Sequence, residues 1–246
     1  MKIVGRTDKG DKRPENQDRY IGGTLANGTS FGFVCDGMGG ANGGSVASGY
    51  LSKVIEEYLY RQNDNRAMDA EKVTLDAIDT ACSLIYQKSL SDENLKGMGT
   101  TVSGVTVQGD NCTVYNVGDS RTYILRQGVL TQITLDHSVV QQLYIKGAIT
   151  EEDMQNHPQK NLITRAVGVK KDVETDVTEL KLQPGDRLLC ASDGLTNFVS
   201  KEELLQILST SDIYNVAEKL VKTAVANDST DNITAVVLEY YRKGII

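Results

Sequence analysis

The sequence predicts an α+β fold, in which antiparallel strands and helices occur in separate groups. Three β-rich runs follow one another at residues 101–107, 112–117 and 122–125. Their links are too short to contain a crossover helix, so we expect the three strands to form one antiparallel meander. Helical patterns precede these strands and follow them. This grouping favours an α+β fold over an alternating α/β architecture.

In the first half of the chain, an apolar run at residues 31–35 predicts a buried strand. The glycine-rich stretch that follows predicts a tight turn from this strand into a helix. Apolar residues then recur at helical spacing in two successive helices. The first helix carries Leu51, Val54, Ile55, Tyr58 and Leu59, and the second carries Val73, Ala77, Ala81, Leu84 and Ile85.

In the second half, helices and strands again occur in blocks. We expect a helical stretch over 139–146, a helix that begins near Thr150, and a strand at 187–191. Ser200 begins a capping box that opens a helix through residue 208, and a further apolar helical pattern surrounds residues 216–224. The chain closes with a run rich in β-branched residues at 233–240, which predicts a last strand.

Length and composition predict a single domain over residues 1–246, because no proline- or serine-rich linker divides the chain. The net charge of −7 argues against nucleic-acid binding, and no apolar segment is long enough to span a membrane. Four widely separated cysteines and an N-terminus without a signal-like apolar core predict reduced thiols and a cytoplasmic location. The two histidines, His137 and His157, do not form a zinc motif, and we expect them to make structural hydrogen bonds.

Aspartates recur where the predicted strands end. They are Asp36 before Gly37, Asp119, Asp193, Asp231, and Asp18 at the end of a polar stretch that begins with Arg13. Each aspartate alone is typical of a turn. If the strands end at one edge of a sheet, however, the carboxylates meet and need cations to remain ionised. Carboxylates without histidine or cysteine suit Mg²⁺ or Mn²⁺.

The glycine-rich stretch at 36–45 does not match the nucleotide-binding motifs. Asn42 stands where a dinucleotide motif needs glycine, and Ser45 lacks the preceding Gly-Lys of a P-loop. Met38 stands where an aspartyl-phosphate phosphatase has its second aspartate. These glycines therefore predict a strand-to-helix turn, and the lack of a side chain at Gly37 would let its carbonyl approach a cation closely.

Eight motifs occur in an order that resembles the metal-dependent protein phosphatases of type 2C (PPM), in particular their compact bacterial members. The motifs lie at residues 13–18, 36–40, 97–101, 117–121, 136–138, 161–165, 192–194 and 231–232. The resemblance spans essentially the whole chain. It implies a four-layer α-β-β-α sandwich of two antiparallel sheets flanked by helices, with a flap inserted at about 138–168.

The resemblance also implies a role for each candidate residue. Asp36 is expected to bridge two Mn²⁺ or Mg²⁺ ions, with Asp193 and Asp231 completing the first ion site and the Gly37 carbonyl binding the second ion. Asp119 is expected to hold a third ion together with Asp193, and Asp18 to lie beside the second ion. Arg13 is expected to bind the substrate phosphate. A guanidinium grips phosphate through two parallel hydrogen bonds, which suits Arg13 for this role.

The implied activity is hydrolysis of phosphoserine and phosphothreonine in proteins. A metal-bridging hydroxide is expected to attack phosphorus in line, and a metal-bound water is expected to protonate the leaving oxygen, since Met38 replaces a histidine of some relatives. Expected partners are phosphorylated proteins, including a bacterial Ser/Thr kinase and its substrates. Two alternatives stay open: a non-catalytic metal-dependent binding module, and a phosphatase for a phosphorylated anti-sigma antagonist.

Overall fold

Two antiparallel β-sheets stack face to face, and helices cover the outer face of each sheet. The structure, a computed structural model, describes residues 1–241, with the backbone alone at 40–42 and at 155. The first sheet has the order β1 (Lys2–Asp8), β11 (Ile233–Glu239), β10 (Arg187–Ala191), β7 (Arg121–Arg126) and β8 (Val129–Gln132). The second has the order β2 (Asp18–Thr24), β3 (Ser30–Met38), β5 (Val102–Gln108), β6 (Asn111–Val117) and β9 (Asp176–Lys181), and the short β4 (Gly99–Thr100) pairs with the end of β3.

The described residues form seven α-helices. They are α1 (Gly40–Arg61), α2 (Ala70–Ser91), α3 (Val139–Ile145), α4 (Glu151–Asn156), α5 (Asp193–Thr196), α6 (Lys201–Thr210) and α7 (Ile213–Ala226), with a 3₁₀ turn at Glu93–Leu95. None of the helices found in residues 1–241 has the length and apolar character needed to cross a bilayer. The last five residues of the predicted domain, 242–246, lie outside the described residues.

Three hydrophobic clusters separate the four layers. In one cluster, α1 and α2 pack on the outer face of the second sheet around Phe31, Phe33 and Leu51. In another, α6 and α7 pack on the outer face of the first sheet. The third cluster lies between the sheets and takes buried residues from both, among them Val34 and Val236. Successive residues of a strand face opposite sides of the sheet. A strand that is covered on both faces therefore has a continuous apolar run in the sequence. The predicted α+β class and the four-layer sandwich are confirmed.

The predicted three-stranded meander is wrong in its third strand. β5 and β6 pair antiparallel as expected, but β7 belongs to the other sheet, where it pairs with β10 and β8. The link at 118–120 carries the chain between sheets that lie roughly 10 Å apart, a distance that three extended residues can span. Gly118 allows this turn with φ of +107°. A short link excludes a crossover helix but does not require pairing within one sheet.

Other elements depart from the sequence prediction in smaller ways. Leu84 was expected on the core-facing side of α2, but it is 43% exposed. The buried face of that helix is formed instead by Ala77, Ala81 and Ile85 with their neighbours. The predicted helices at 139–146 and near Thr150 are present as α3 and α4, and Thr150 makes a capping box.

The close approach of β3 to α1 gives a testable stability difference within one helix. A Cβ added to Gly44 would lie 2.6 Å from the carbonyl oxygen of Gly37, whereas one added to Gly49 meets no atom within 4 Å. We expect Gly44→Ala to destabilise the fold by about 1–3 kcal/mol, the range for overpacking. Gly49→Ala should stabilise it by up to about 1 kcal/mol through helix propensity. Urea unfolding of both variants measures the difference, and equal effects would contradict the backbone contact.

Candidate functional site

Two of the predicted aspartates face each other across neighbouring strands. Asp18 is the first residue of β2, Asp36 lies near the end of β3, and the strand register pairs them directly. Directly opposed residues of an antiparallel pair point to the same face, with Cβ atoms about 5 Å apart. Strand pairing therefore brings these two carboxyl groups together at one end of the second sheet.

The other three aspartates reach this end of the sandwich from loops and a helix start. Asp193 opens α5 directly after β10, Asp231 lies just before β11, and Asp119 lies in the turn between β6 and β7. The charges of these three and of Asp18 all act on Asp36. We call Asp18, Asp36, Asp119, Asp193 and Asp231 the acidic cluster.

The backbone of Asp36 is held by a pair of threonines. The Thr101 hydroxyl accepts from the Asp36 N–H at 3.0 Å, while the Thr101 N–H and the Thr100 hydroxyl donate to the Asp36 carbonyl at 2.8 and 2.9 Å. Thr101 Oγ1 also lies 2.7 Å from the hydroxyl of Ser120, the residue after Asp119. This network ties the strand that carries Asp36 to the turn that carries Asp119.

Asp18 is almost completely buried, with 1% exposure. Its Oδ2 accepts hydrogen bonds from the hydroxyls of Ser192 at 2.8 Å and Thr234 at 2.6 Å. Both donors come from the first sheet or its ends, whereas Asp18 belongs to the second sheet. The Asp18 carboxyl therefore joins the two sheets beside the cluster. No motif in the sequence marks Thr234 as part of the site, and only its place two residues after Asn232 signals that it lies nearby.

Arg13 lies in the loop between β1 and β2, and its side chain is 51% exposed. Its guanidinium Nη2 donates to Asp231 Oδ2 at 2.6 Å. This hydrogen bond raises the pKa of Arg13 above its ordinary value, and the charges of Asp231, Asp36 and Asp193 add to the effect. Arg13 thus places a positive charge directly on the acidic cluster, and the charge of Arg121 also acts on Asp119 and Asp193.

Burial raises the pKa of four carboxyl groups of the cluster, those of Asp18, Asp36, Asp119 and Asp193. It raises the pKa of Asp18 to about 7, against the opposing hydrogen bonds from Thr234 and Ser192. It raises the pKa of Asp119 to about 8, and the charge of Asp193 adds to this elevation.

The remaining shifts come from the same causes. Burial and the charge of Asp231 raise the pKa of Asp193 to about 6, although a hydrogen bond between the Asp193 and Asp36 carboxyls opposes the rise. Burial, followed by the charge of Asp18, holds the pKa of Asp36 well above its ordinary value. The protein alone therefore does not stabilise this many negative charges together.

Within residues 1–241, two carboxylate oxygens of the cluster, Asp18 Oδ1 and Asp193 Oδ1, are buried without a hydrogen-bond partner. A buried carboxylate oxygen without a partner is unfavourable by several kcal/mol in an apolar medium. Carboxylate oxygens are the ligands that Mg²⁺ and Mn²⁺ prefer. The residues present therefore fit a hard divalent cation.

The carboxylates of the cluster are not arranged as the ligands of a single ion. Among the described residues, no three histidine, cysteine, aspartate or glutamate side chains form a metal-ligand group. Three members of the cluster are engaged by protein groups instead, Asp231 by Arg13, Asp18 by two hydroxyls and Asp193 by the amide of Asn197. A cation held by Asp231 would therefore compete with Arg13 for this carboxylate.

The predicted structural roles of both histidines are confirmed. Nδ1 of His137 accepts from the Gly118 N–H at 3.1 Å, and Nε2 lies 3.0 Å from Asp176 Oδ2. Because Nδ1 must accept, the ring proton lies on Nε2 and points to Asp176. Nδ1 of His157 accepts from the Gln159 N–H. Both ring nitrogens of His137 are occupied, so it does not present a free proton to the cluster.

The raised pKa values predict an unusual pH dependence of stability. A carboxyl whose pKa is raised in the folded state binds more protons than in the unfolded state, so its contribution is complete below about pH 4 and is lost as the pH rises through the folded value. The folded pKa values of Asp193, Asp18 and Asp119 are about 6, 7 and 8, so this stabilising contribution continues to be lost up to about pH 8. Since one pKa unit corresponds to about 1.4 kcal/mol, we expect the Tm in EDTA to fall by about 5 °C or more between pH 5 and pH 8.

Differential scanning calorimetry measures this fall directly. Saturating Mn²⁺ should abolish most of it, because a ligand that binds only the folded state stabilises it and neutralises the ionised cluster. A Tm in EDTA that rises from pH 5 to pH 8 would contradict the raised pKa values.

The fold and the cluster together define a class of protein, a four-layer sandwich of two antiparallel sheets with an acidic centre at one end. Comparison with known families then identifies the chain more closely. The family model described as protein phosphatase 2C matches residues 7–226. The chain belongs to this family of protein serine/threonine phosphatases, as its ordered motifs predict.

Relatives and solved structures agree with this assignment. The chain is 36% identical over 240 residues to the serine/threonine phosphatase stp of Listeria monocytogenes, covering 95% of this chain and 94% of the relative. It is 35% identical over 240 residues to the serine/threonine protein phosphatase PstP of Mycobacterium tuberculosis, where it covers 97% of this chain but only 45% of the relative. The chain thus spans about half the length of that relative.

A solved structure resembles the whole sandwich. It is the catalytic domain of the serine/threonine protein phosphatase PstP in complex with two manganese ions. The TM-score is 0.86 at 32% identity, with 98% of each chain covered. The two-sheet architecture with its helical layers is therefore that of the family.

Proposed function

We propose that the chain is a cation-dependent phosphatase for phosphoserine and phosphothreonine in proteins. The observation that supports this most strongly is the acidic cluster, in which Asp18 Oδ1 and Asp193 Oδ1 are buried without a partner. The family and the named activities of the relatives point to the same reaction. The structure of PstP with two manganese ions favours Mn²⁺, and Mg²⁺ has the same ligand preference.

The proposed ligands follow the cluster. Asp36 would be shared by two cations, with Asp193 and Asp231 at the first ion and the Gly37 carbonyl at the second. Asp119 with Asp193 would hold a third ion, and two protein carboxylates make this the weakest of the sites. Asp18 would lie beside the second ion, but its Oδ2 already accepts two hydroxyl hydrogen bonds. Bound divalent cations would lower the pKa of a coordinated water and so supply hydroxide at neutral pH for in-line attack on phosphorus.

The protein residues then supply binding and orientation. Arg13 would bind the substrate phosphate through two parallel hydrogen bonds and offset charge on its equatorial oxygens. Thr100 and Thr101 fix the backbone of Asp36 through three hydrogen bonds. Met38 cannot donate a proton, and the ring nitrogens of His137 are occupied, so the proton for the leaving oxygen would come from water.

We also propose the setting of this activity. The chain would act as one domain in the cytoplasm and oppose a bacterial Ser/Thr kinase. Residues 138–168, which contain α3 and α4, would form a flap beside the site. This segment is joined to the sandwich by the isolated bridge from Val167 to Thr100. Lys146, Glu151 and Glu152 are exposed on it and are available to a substrate protein.

Hydrolysis of a phosphothreonine peptide tests the proposal. Release of phosphate should require Mn²⁺ or Mg²⁺ and should stop with excess EDTA. Addition of Mn²⁺ beyond the EDTA concentration should restore it. Activity that survives EDTA, or no activity with any divalent cation, would overturn the proposed function.

A further inference from the structure

The loop that carries Arg13 crosses from one sheet to the other. It begins after β1, which pairs with β11 in the first sheet, and ends at β2, which pairs with β3 in the second. Residues 11–14 are exposed along this crossing. The position of Arg13 over the cluster therefore depends on what holds the two limbs of its loop, and we define these limbs as residues 9–10 and 15–17.

One buried side chain binds both limbs. Asn232, which is 5% exposed, donates from Nδ2 to the Lys9 carbonyl at 2.8 Å and to the Glu15 carbonyl at 2.9 Å. Its Oδ1 accepts from the Gln17 N–H at 2.8 Å. The amide thus uses both donor hydrogens and its acceptor on the loop.

The backbone of the same residue holds the acidic cluster. The Asn232 N–H donates to Asp231 Oδ1 at 2.7 Å, while Asp231 Oδ2 receives the guanidinium of Arg13. Asn232 directly precedes β11, which is paired on both sides, with β1 and with β10. A single residue, at the start of a strand that is paired on both sides, therefore holds in position both the Asp231 carboxyl and the loop that carries Arg13.

We propose that Asn232 is a positioning residue that fixes the phosphate-binding guanidinium of Arg13 relative to the acidic cluster. This inference rests on the proposed function for the role of Arg13. Only an amide meets all three bonds at once, because a carboxylate has no hydrogen to donate to the Lys9 and Glu15 carbonyls. An aspartate at this position would place its charge against two carbonyl oxygens and release both limbs.

Asn232→Asp tests the proposal with little change in shape. We expect the inhibition constant of inorganic phosphate to rise by about tenfold or more, and KM for the phosphopeptide to rise with it, because small displacements of a positioning group have large effects. The Mn²⁺ concentration for half-maximal activity should not rise, since no proposed ligand atom is removed and a displaced Arg13 competes less for Asp231. In the ion-free protein, hydrogen–deuterium exchange of the peptide that spans residues 9–17 should accelerate.

Asn27→Asp is the matched control. Asn27 makes the same three kinds of bond, from Nδ2 to the carbonyls of Gln62 and Asn65 and from the Thr29 N–H to Oδ1. It lies in the loop between β2 and β3, at the opposite end of β2 from Asp18. This variant should lose stability but leave phosphate inhibition unchanged.

A second pair of variants keeps the test valid if Asn232→Asp does not fold. Lys9→Met removes the exposed Lys9 Nζ, which donates to the Arg13 carbonyl at 2.7 Å, and Lys12→Met removes an equal charge from the same loop. Lys9→Met should weaken phosphate inhibition more than Lys12→Met does.

Unchanged phosphate inhibition in Asn232→Asp, or an equal change in Asn27→Asp, would overturn the positioning role. If Asn232→Asp does not fold, equal effects of Lys9→Met and Lys12→Met would overturn it. A wild-type protein inactive with every cation would instead overturn the proposed function. Hydrogen–deuterium exchange of the peptide that spans residues 9–17 would then decide whether Asn232 holds the loop.

Discussion

Asp36→Asn is expected to abolish phosphopeptide hydrolysis while raising the thermal stability of the ion-free protein at pH 8. Hydrolysis should fall by about a thousandfold or more, because the shared ligand of the proposed cation pair is lost. Stability should rise because the amide removes one charge from a cluster whose members repel each other. The amide can still donate a hydrogen bond to Asp193, which preserves the contact between the two side chains.

Calorimetry in EDTA and a phosphate-release assay in Mn²⁺ measure the two effects. Asp79→Asn is the control, because burial also raises the pKa of Asp79, with the charge of Asp76 adding, but this residue lies on α2 away from the cluster. It should leave hydrolysis unchanged. An Asp36→Asn protein that is active, or less stable than wild type in EDTA at pH 8, would contradict the shared role of this carboxyl.

The layers of the fold are largely predictable from hydrophobic period, but the sheet to which a strand belongs is not. The apolar runs at β3, β5, β6, β10 and β11 are evident because these strands are buried on both faces. Sheet membership of β7 depends on the turn at Gly118, whose added Cβ would lie 2.5 Å from Thr101 Cγ2. The period of two residues is the same in either sheet, so no local pattern distinguishes the two arrangements.

The candidate site shows the same division between local and distant information. An aspartate that ends an apolar strand can be recognised from a few residues, and this local pattern marks Asp36 and Asp193. The hydrogen bond from Thr234 to Asp18 joins residues 216 positions apart. The ion pair of Arg13 with Asp231 joins residues 218 positions apart. Such partners are set by sheet order, which the sequence pattern does not determine.

Arg13→Met is expected to have opposite effects on the two ligands of the site. Loss of the guanidinium should lower kcat/KM for a phosphopeptide by about a hundredfold or more, because the proposed phosphate grip is removed. Affinity for Mn²⁺ should increase by about fivefold, the effect of about 1 kcal/mol from one nearby charge. The increase arises because Arg13 occupies Asp231 Oδ2 at 2.6 Å in the ion-free protein and competes with the cation.

Arg13→Lys separates these two effects. A lysine keeps the positive charge but cannot form two parallel hydrogen bonds, so it should lose most of the phosphate grip and little of the competition with Mn²⁺. Isothermal titration measures the affinity for Mn²⁺, and inhibition by inorganic phosphate measures the phosphate grip. Arg61→Met is the control, because it removes an exposed charge on α1. Weaker Mn²⁺ binding in Arg13→Met would show that the guanidinium supports the cation site rather than competing with it. Arg13 and the cation would then share the Asp231 carboxylate, in which Oδ2 accepts from the guanidinium and Oδ1 from the Asn232 N–H. Each oxygen would have to use a further lone pair for the ion.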